Sequence, residues 1–357
     1  MHLGVDASRL LSDRRGMGRS VRNILQWLPR HRPSLRITLY VKQARDIEPL
    51  RGYLATIDSA LSTQLSYATW DALTESDADV VWYPWNWITQ PARIAPMVVS
   101  IYDIAPMLQL DGRWWKVIKR WRARRLYAQT LAYADRVLAC STFTSQELVR
   151  WLHADPDRLR VTLLASDDFL PSSQTQSNTL DRLRVDGPFF LTVGAHDARK
   201  NLGTLYRAME ILHARGERVP LVQCGPGKAH GTMPFVKFAG YVDDQELATL
   251  YRRATALVFP SRYEGFGLPV AEAMSSGGRV ICAEASSLPE VAGDAALYFA
   301  WNDADALAAQ MSRLLHDVAL RAQLTRAGFA HSQKFTWSET AFETLRVFDE
   351  AVLSRET

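Results

Sequence analysis

Two stretches of the 357-residue chain concentrate residue types able to act on an anionic, hydroxyl-rich ligand. The first is Gly194-Ala195-His196-Asp197-Ala198-Arg199-Lys200-Asn201-Leu202, which follows the apolar run Phe189 to Val193 and opens a helical pattern. Adjacent cations at a helix start reinforce the free backbone N–H groups and the positive dipole end found there, so the loop suits an anion, with a diphosphate as its natural guest. An ammonium ~4 Å from a phosphate oxygen gains about 4 kcal/mol at an effective dielectric of roughly 20, enough to matter to a departing charged group. Taken alone, Arg199 and Lys200 are better read as decoration of a surface turn. The second stretch changes that balance. After the run Ala256 to Phe259 comes Pro260-Ser261-Arg262-Tyr263-Glu264-Gly265-Phe266-Gly267-Leu268-Pro269-Val270-Ala271-Glu272-Ala273-Met274. Gly265 and Gly267 let the backbone approach a ligand closely, and Pro269 fits the first turn of the helix that follows. Glu272 falls about one turn inside that helix and Glu264 on the loop before it. Either carboxylate alone would read as helix-start charge or a solvated loop residue. Two of them flanking a glycine loop at a strand end suit a polyol that bears phosphates, that is, a sugar nucleotide.

These loops need elements to hold them. Short apolar runs alternate with longer helical patterns along the chain, as in parallel sheets covered by helices. Strands are expected at His2 to Val5, Ile37 to Val41, Val80 to Tyr83, Val98 to Tyr102, Val137 to Cys140 and Leu159 to Leu163. Helices are expected at Gly18 to Leu28, Trp114 to Ala134 and Ser145 to Leu152. A second set of strands follows at Phe189 to Val193, Leu221 to Cys224, Val236 to Ala239, Ala256 to Phe259, Val280 to Ala283 and Ala296 to Phe299. Their helices fall near 201–215, 244–253, 269–276 and 304–316. The fold class is therefore α/β, with two Rossmann-like, doubly wound domains facing a central cleft at the carboxyl ends of their sheets. The boundaries read as 1–168 for an acceptor-side domain, 169–186 for a Ser/Thr/Gln/Asn-rich linker and 187–334 for a nucleotide-sugar domain. The tail 335–357 is expected to form a helix that packs back on the first domain.

Composition agrees with a globular protein, with 47% hydrophobic and 22% charged residues. Forty-two cations against 38 acids leave a formal charge of +4, too small to mark a nucleic-acid binder. Cys140, Cys224 and Cys282 lie far apart with no C-x-x-C, so reduced thiols in a cytoplasmic protein are expected, with neither a disulfide framework nor a zinc site. Asp6 and Arg9 interrupt the first apolar run, which therefore does not read as a signal peptide, and no apolar stretch reaches the ~18 residues of a membrane span.

From about Pro188 to His316 the chain resembles the family 4 glycosyltransferases (group 1), the retaining group of GT-B fold that includes bacterial polysaccharide mannosyl- and glucosyltransferases. The matching residues are Val193-Gly194 through Arg199-Lys200-Asn201, the Glu264-x7-Glu272 pair within Glu-Gly-Phe-Gly-Leu-Pro, and Ser287-Leu288-Pro289-Glu290-Val291 followed by Gly293-Asp294-Ala295-Ala296. The resemblance implies that Lys200, with Arg199 nearby, holds the donor diphosphate, that Glu264 faces the transferred sugar and that Glu272 binds the nucleotide ribose. It implies, too, that the amides of Gly265, Phe266, Gly267 and Leu268 meet the sugar and the distal phosphate. Two positions depart from the family pattern. Ala195 stands where many members have Arg, and Arg279 stands where Pro is common, either as a replacement cation or, more simply, in a solvated turn.

The first half resembles the family more weakly. Gly16-Met17-Gly18-Arg19 looks like its glycine loop, whose backbone would approach the donor phosphates. A dehydrogenase is disfavoured, because these glycines follow the first strand by about ten residues and the next strand ends at Val41-Lys42 without a ribose-binding acid. Ser100-Ile101-Tyr102-Asp103-Ile104-Ala105-Pro106 looks like the strand-end His-Asp motif with Tyr102 at the His position. Asp103 would then lie near the reacting sugar and the acceptor hydroxyl, or else serve as a loop-start cap. Arg113 to Arg125 is basic and acid-free, with Trp114, Ile118 and Trp121 at helical spacing. It suits an anionic membrane surface and a lipid-linked acceptor at the inner face of the cytoplasmic membrane, although a stripe at that spacing usually packs into a core. Trp82-Tyr83-Pro84-Trp85-Asn86-Trp87 offers indoles that would stack on acceptor sugars or pack inside.

The resemblance thus implies transfer of a hexose, mannose from GDP-mannose in the first instance, to a hydroxyl of a glycan or lipid-linked oligosaccharide. The transfer would proceed with retention, and with cations supplied by the protein and no Asp-x-Asp ligand pair conspicuous at a strand end, no metal or cofactor is expected. A UDP-sugar donor and an inactive sugar-nucleotide-binding partner of an assembly complex are the alternatives.

Overall fold

A computed structural model describes residues 1–13, 16–108, 117–169, 177–195, 197–226 and 233–356. They form two compact units. The first comprises the described residues before Ala165 together with those from Trp337 onward, and the second lies within Ala165–Thr336.

The first unit is built on β1 (His2–Asp6), β2 (Arg36–Val41), β3 (Ser66–Thr69), β4 (Val80–Tyr83), β5 (Met97–Ile101), β6 (Arg136–Ala139) and β7 (Leu159–Val161). All are parallel, in the order β3-β2-β1-β4-β5-β6-β7. The second holds β8 (Phe190–Val193), β9 (Leu221–Cys224), β10 (Val236–Gly240), β11 (Ala256–Phe259), β12 (Val280–Ala283) and β13 (Leu297–Phe299), parallel in the order β10-β9-β8-β11-β12-β13. Central strands such as Val-Val-Trp-Tyr in β4 and Ala-Leu-Val-Phe in β11 are buried along their whole length. Helices cover both sheet faces, so these strands are continuous apolar runs and do not alternate. In each sheet the order reverses beside the first strand, between β1 and β4 and between β8 and β11. Loops leaving those strand ends diverge there and leave a crevice. In the second unit the two loops so placed are residues 194–202 and the stretch from Pro260 into the helix that follows.

β3 and the helices Ile47–Ala55 and Ser59–Gln64 were not expected. β3 reads Ser-Tyr-Ala-Thr and is an edge strand, half in water, so it has no apolar run to announce it. The expected linker includes a short helix, Asn178–Leu183, capped by the Ser177 hydroxyl, and residues 170–176 lie outside the described residues. The terminal helix Trp337–Glu356 belongs to the first unit, where it lies along the helix Met17–His31. Arg32 grips Asp349 with two hydrogen bonds of 2.7 Å, and Phe348 packs against Trp82 at 5.8 Å between ring centres.

Three side-chain readings are decided by the structure, two of them as corrections. The half-buried Arg279 is no solvated turn residue: its guanidinium donates to the carbonyls of Thr255 (3.0 Å), Arg252 (3.1 Å) and Ala254, closing the end of the helix Asp244–Arg253. Trp82, Tyr83 and Trp85 are core residues, with the Trp82 indole donating to Ser100 Oγ and that of Trp85 to the Asp6 carbonyl. Trp87 alone of that loop's indoles is partly exposed, between Tyr127 and Arg9. Finally, Ile118 and Trp121 do not pack on the sheet, being 64% and 59% exposed, and Arg113 and Trp114 lie outside the described residues. Cys140, Cys224 and Cys282 are buried and none is joined in a disulfide; the Cys140 thiol donates to the Tyr102 carbonyl, and burial pushes the Cys224 thiol up to about 12.

Candidate donor site at the switch point of the second sheet

The loop after β8 turns at Gly194, whose φ of +135° is open to glycine and whose missing Cβ leaves room for the Lys200 stem, 3.2 Å from where that atom would be. His196 lies outside the described residues. Asp197 accepts from the Arg199 amide and caps a single 3-10 turn, Ala198–Lys200. Asn201, at φ 53°, redirects the chain into the helix Leu202–Ala214 and ties the turn down by donating to the carbonyls of Pro260 (3.1 Å) and Trp301 (2.6 Å). The cations therefore precede the helix on a turn of their own. Arg199 pairs with Asp197 at 3.4 Å, and Lys200 points inward.

Lys200 Nζ lies 2.7 Å from Glu264 Oε1 and 4.7 Å from the centre of the Phe259 ring, with 14% of the Lys200 side chain and 10% of the Glu264 side chain accessible. Few waters screen such a pair, so its mutual attraction is strong, but so is the loss of hydration on each partner. Ser261 adds a second donor to the same carboxylate oxygen, and its hydroxyl also lies 3.2 Å from the Arg199 carbonyl. A small cavity borders Lys200, lined also by Gly194, Ala195, Gln223 and Phe259 among others.

The glycine loop is held from β12. The Glu264 amide donates to Ser286 Oγ at 3.0 Å, and Ser287 Oγ lies within hydrogen-bond reach of the Glu264 and Phe266 carbonyls. Gly265 and the ring of Phe266 are buried, the latter edge-on to Phe335. Gly267 stands at φ +102° as the residue before the helix Leu268–Ser275, and a Cβ there would come within 2.8 Å of Leu288. Glycine is required on both counts. Glu272 is buried in that helix and accepts from the buried Tyr251 hydroxyl at 3.0 Å. The strand ends thus present an ammonium, two carboxylates and a helix start from one unit.

The other expected residues belong to the first unit. Asp103 follows β5 and accepts from the Ala105 amide at 2.9 Å, which is the cap geometry, while its carbonyl accepts from the Tyr127 hydroxyl at 2.8 Å. Tyr102 is buried, and burial raises its phenol well above the ordinary value. Gly16, at φ 52°, precedes the helix Met17–His31 and a Cβ there would touch nothing within 4 Å. Gly18 is inside that helix, and its Cβ would fall 1.5 Å from the Asp13 carbonyl oxygen, so its own chain already uses the space. Ser261, Ser286 and Tyr251 were not singled out from sequence. Ser261 stands three residues before Glu264 within the quoted string, whereas nothing in the local sequence connects Tyr251 to Glu272. Among the described residues no group of three or more His, Cys, Asp or Glu side chains is placed to hold a metal ion.

Residues 181–331 match the model of the glycosyl transferases group 1 family. The chain is 33% identical over 276 residues to O-antigen chain mannosyltransferase B of Escherichia coli, covering 72% of this chain and 71% of that protein. It is 29% identical over 277 residues to the serotype-specific mannosyltransferase WbdA of Escherichia coli, covering 71% of this chain but 34% of that longer protein. Among solved structures, sucrose-phosphate synthase from Thermosynechococcus elongatus superposes with a TM-score of 0.75 at 17% identity, covering 99% of this chain and 100% of that one.

Proposed function

The chain belongs to the group 1 glycosyltransferases, with their GT-B fold, and from that premise we propose that it transfers mannose from GDP-mannose, with retention, to a hydroxyl of a lipid-linked glycan in polysaccharide assembly at the inner face of the cytoplasmic membrane. The observation that carries the reading is the buried Lys200–Glu264 pair at the switch point, flanked by the Gly267 helix start and by Glu272. The choice of mannose and of a polysaccharide rests on what the relatives are called.

In this reading the diphosphate draws Lys200 away from Glu264 and frees the carboxylate to face sugar hydroxyls. The bond between the anomeric carbon and the diphosphate oxygen breaks as the sugar gains oxocarbenium character. Lys200, Arg199 and the amides at Gly267 and Leu268 meet the charge left on the diphosphate, so that the protein supplies the positive charge a metal ion would otherwise bring. The acceptor oxygen bonds to the anomeric carbon, and its proton passes to the departing diphosphate. Substitution tests this directly: Lys200→Ala and Glu264→Ala are each expected to cut mannosyl transfer at least ~100-fold with folding intact, and turnover is expected to persist in EDTA. Wild-type turnover in both variants overturns the site. Transfer from UDP-sugars in preference to GDP-mannose overturns the donor.

A further inference from the structure

The helix Val117–Tyr133 carries Lys119, Arg120, Arg122, Arg124 and Arg125 and no Asp or Glu. Five cations on one helix exceed the formal charge of the whole chain, +4, so the remainder of the molecule has a slight excess of acid. Among the described residues no carboxylate pairs with any of the five. Beside them Val117, Ile118 and Trp121 are 52%, 64% and 59% exposed, with the Arg125 guanidinium 5.7 Å from the Trp121 ring centre. The other half of the helix is locked into the unit. Tyr127 and Thr130 are buried, Tyr127 donates to the Asp103 carbonyl, and Thr130 Oγ1 accepts from the Ile88 amide at 3.0 Å.

We propose that the amino-terminal half of this helix, residues 117–125, whose cations and apolar side chains stand out all round it, docks end-on on an anionic lipid bilayer. Guanidinium and ammonium groups pair with lipid phosphates and recover what like-charge crowding costs them, while the indole and the aliphatic side chains enter the boundary between headgroups and acyl chains. Val117 and Ile118 gain nothing from a phosphate polymer in water, which separates this surface from a nucleic-acid contact. A second copy of the chain would set five cations against five. The docking helix is also the one that holds the Asp103 carbonyl through Tyr127. If the acceptor is lipid-linked, as the functional reading above has it, docking places the loop after β5 at the surface from which that acceptor emerges.

Co-sedimentation of the full chain with phosphatidylcholine vesicles, with and without phosphatidylglycerol, tests the proposal. Binding is expected only with phosphatidylglycerol, weakening as salt rises. It should fall at least ~10-fold in Ile118→Ser/Trp121→Ser and in Arg122→Glu/Arg124→Glu/Arg125→Glu. Transfer to a soluble oligosaccharide should be unchanged in both variants. Absence of vesicle binding, binding that both variants retain, capture by RNA without capture by vesicles, or a dimer dispersed by these substitutions each overturns it. Loss of transfer by the wild-type chain with vesicle binding intact would instead remove the functional reading and leave the docking surface standing.

Discussion

Lys200 and Glu264 satisfy one another at 2.7 Å with most of each side chain out of water. A buried pair of this kind is costly to break from one side only, because the partner left behind is an uncompensated charge. A ligand offering negative charge to Lys200 and hydroxyl donors to Glu264 replaces both halves together, which is why the pair fits a sugar diphosphate better than a plain anion. The same logic assigns weight to Tyr251, whose hydroxyl supports Glu272. Tyr251→Phe removes a buried donor to a carboxylate and should weaken what that carboxylate holds by about 1–1.5 kcal/mol. If Glu272 binds the donor ribose, KM for the donor rises roughly 5- to 10-fold while kcat changes less than twofold. An equal fall in kcat with KM unmoved would place Tyr251 elsewhere in the reaction.

Single elements show why glycine occurs where it does. Gly267 is needed both for its positive φ and for the close approach of Leu288, and the Ser286 and Ser287 hydroxyls fix the loop around it. The pair near the amino terminus divides those roles. Gly16 has the positive φ in open space, and Gly18 has ordinary helical geometry against the Asp13 carbonyl. Backbone cannot yield as a flexible side chain can. Gly18→Ala is therefore expected to destabilise the first unit by at least ~2 kcal/mol, and Gly16→Ala, at φ 52° and ψ −112°, by roughly 1–3 kcal/mol, read from urea midpoints. An unchanged midpoint in Gly18→Ala would mean that the turn before Met17–His31 relaxes more readily than its packing implies.

At the scale of the molecule, the first unit is assembled from two distant parts of the chain, and its last helix contributes Trp337, Leu345, Val347 and Phe348 to the core. Losing even one buried Trp or Phe costs ~3–5 kcal/mol, against a domain stability of roughly 5–15 kcal/mol. Ending the chain at Thr336 should therefore leave the first unit unfolded, while the second, whose sheet lies wholly within Ala165–Thr336, survives. Limited proteolysis of the truncated chain checks this: a resistant fragment spanning the second unit is expected, and equal resistance of both units would contradict it.

By itself the sequence determined the two-sheet architecture, because strands buried on both faces write continuous apolar runs that periodicity exposes. The placement of Lys200, Glu264 and Glu272 beside one another's strand ends was legible for a related reason: they stand on loops and a helix start, where local order and spatial order coincide. Edge strand β3 was silent because a half-solvated strand needs no apolar run. Only the tertiary structure decided the rest. The support of Glu272 by Tyr251 and the carbonyl-capping role of Arg279 are contacts between separate segments. Likewise, a cluster of large apolar side chains reads alike whether it faces core or water. Trp82 and Trp85 went inside while Ile118 and Trp121 stayed out, and that choice depends on which neighbouring elements arrive to cover them.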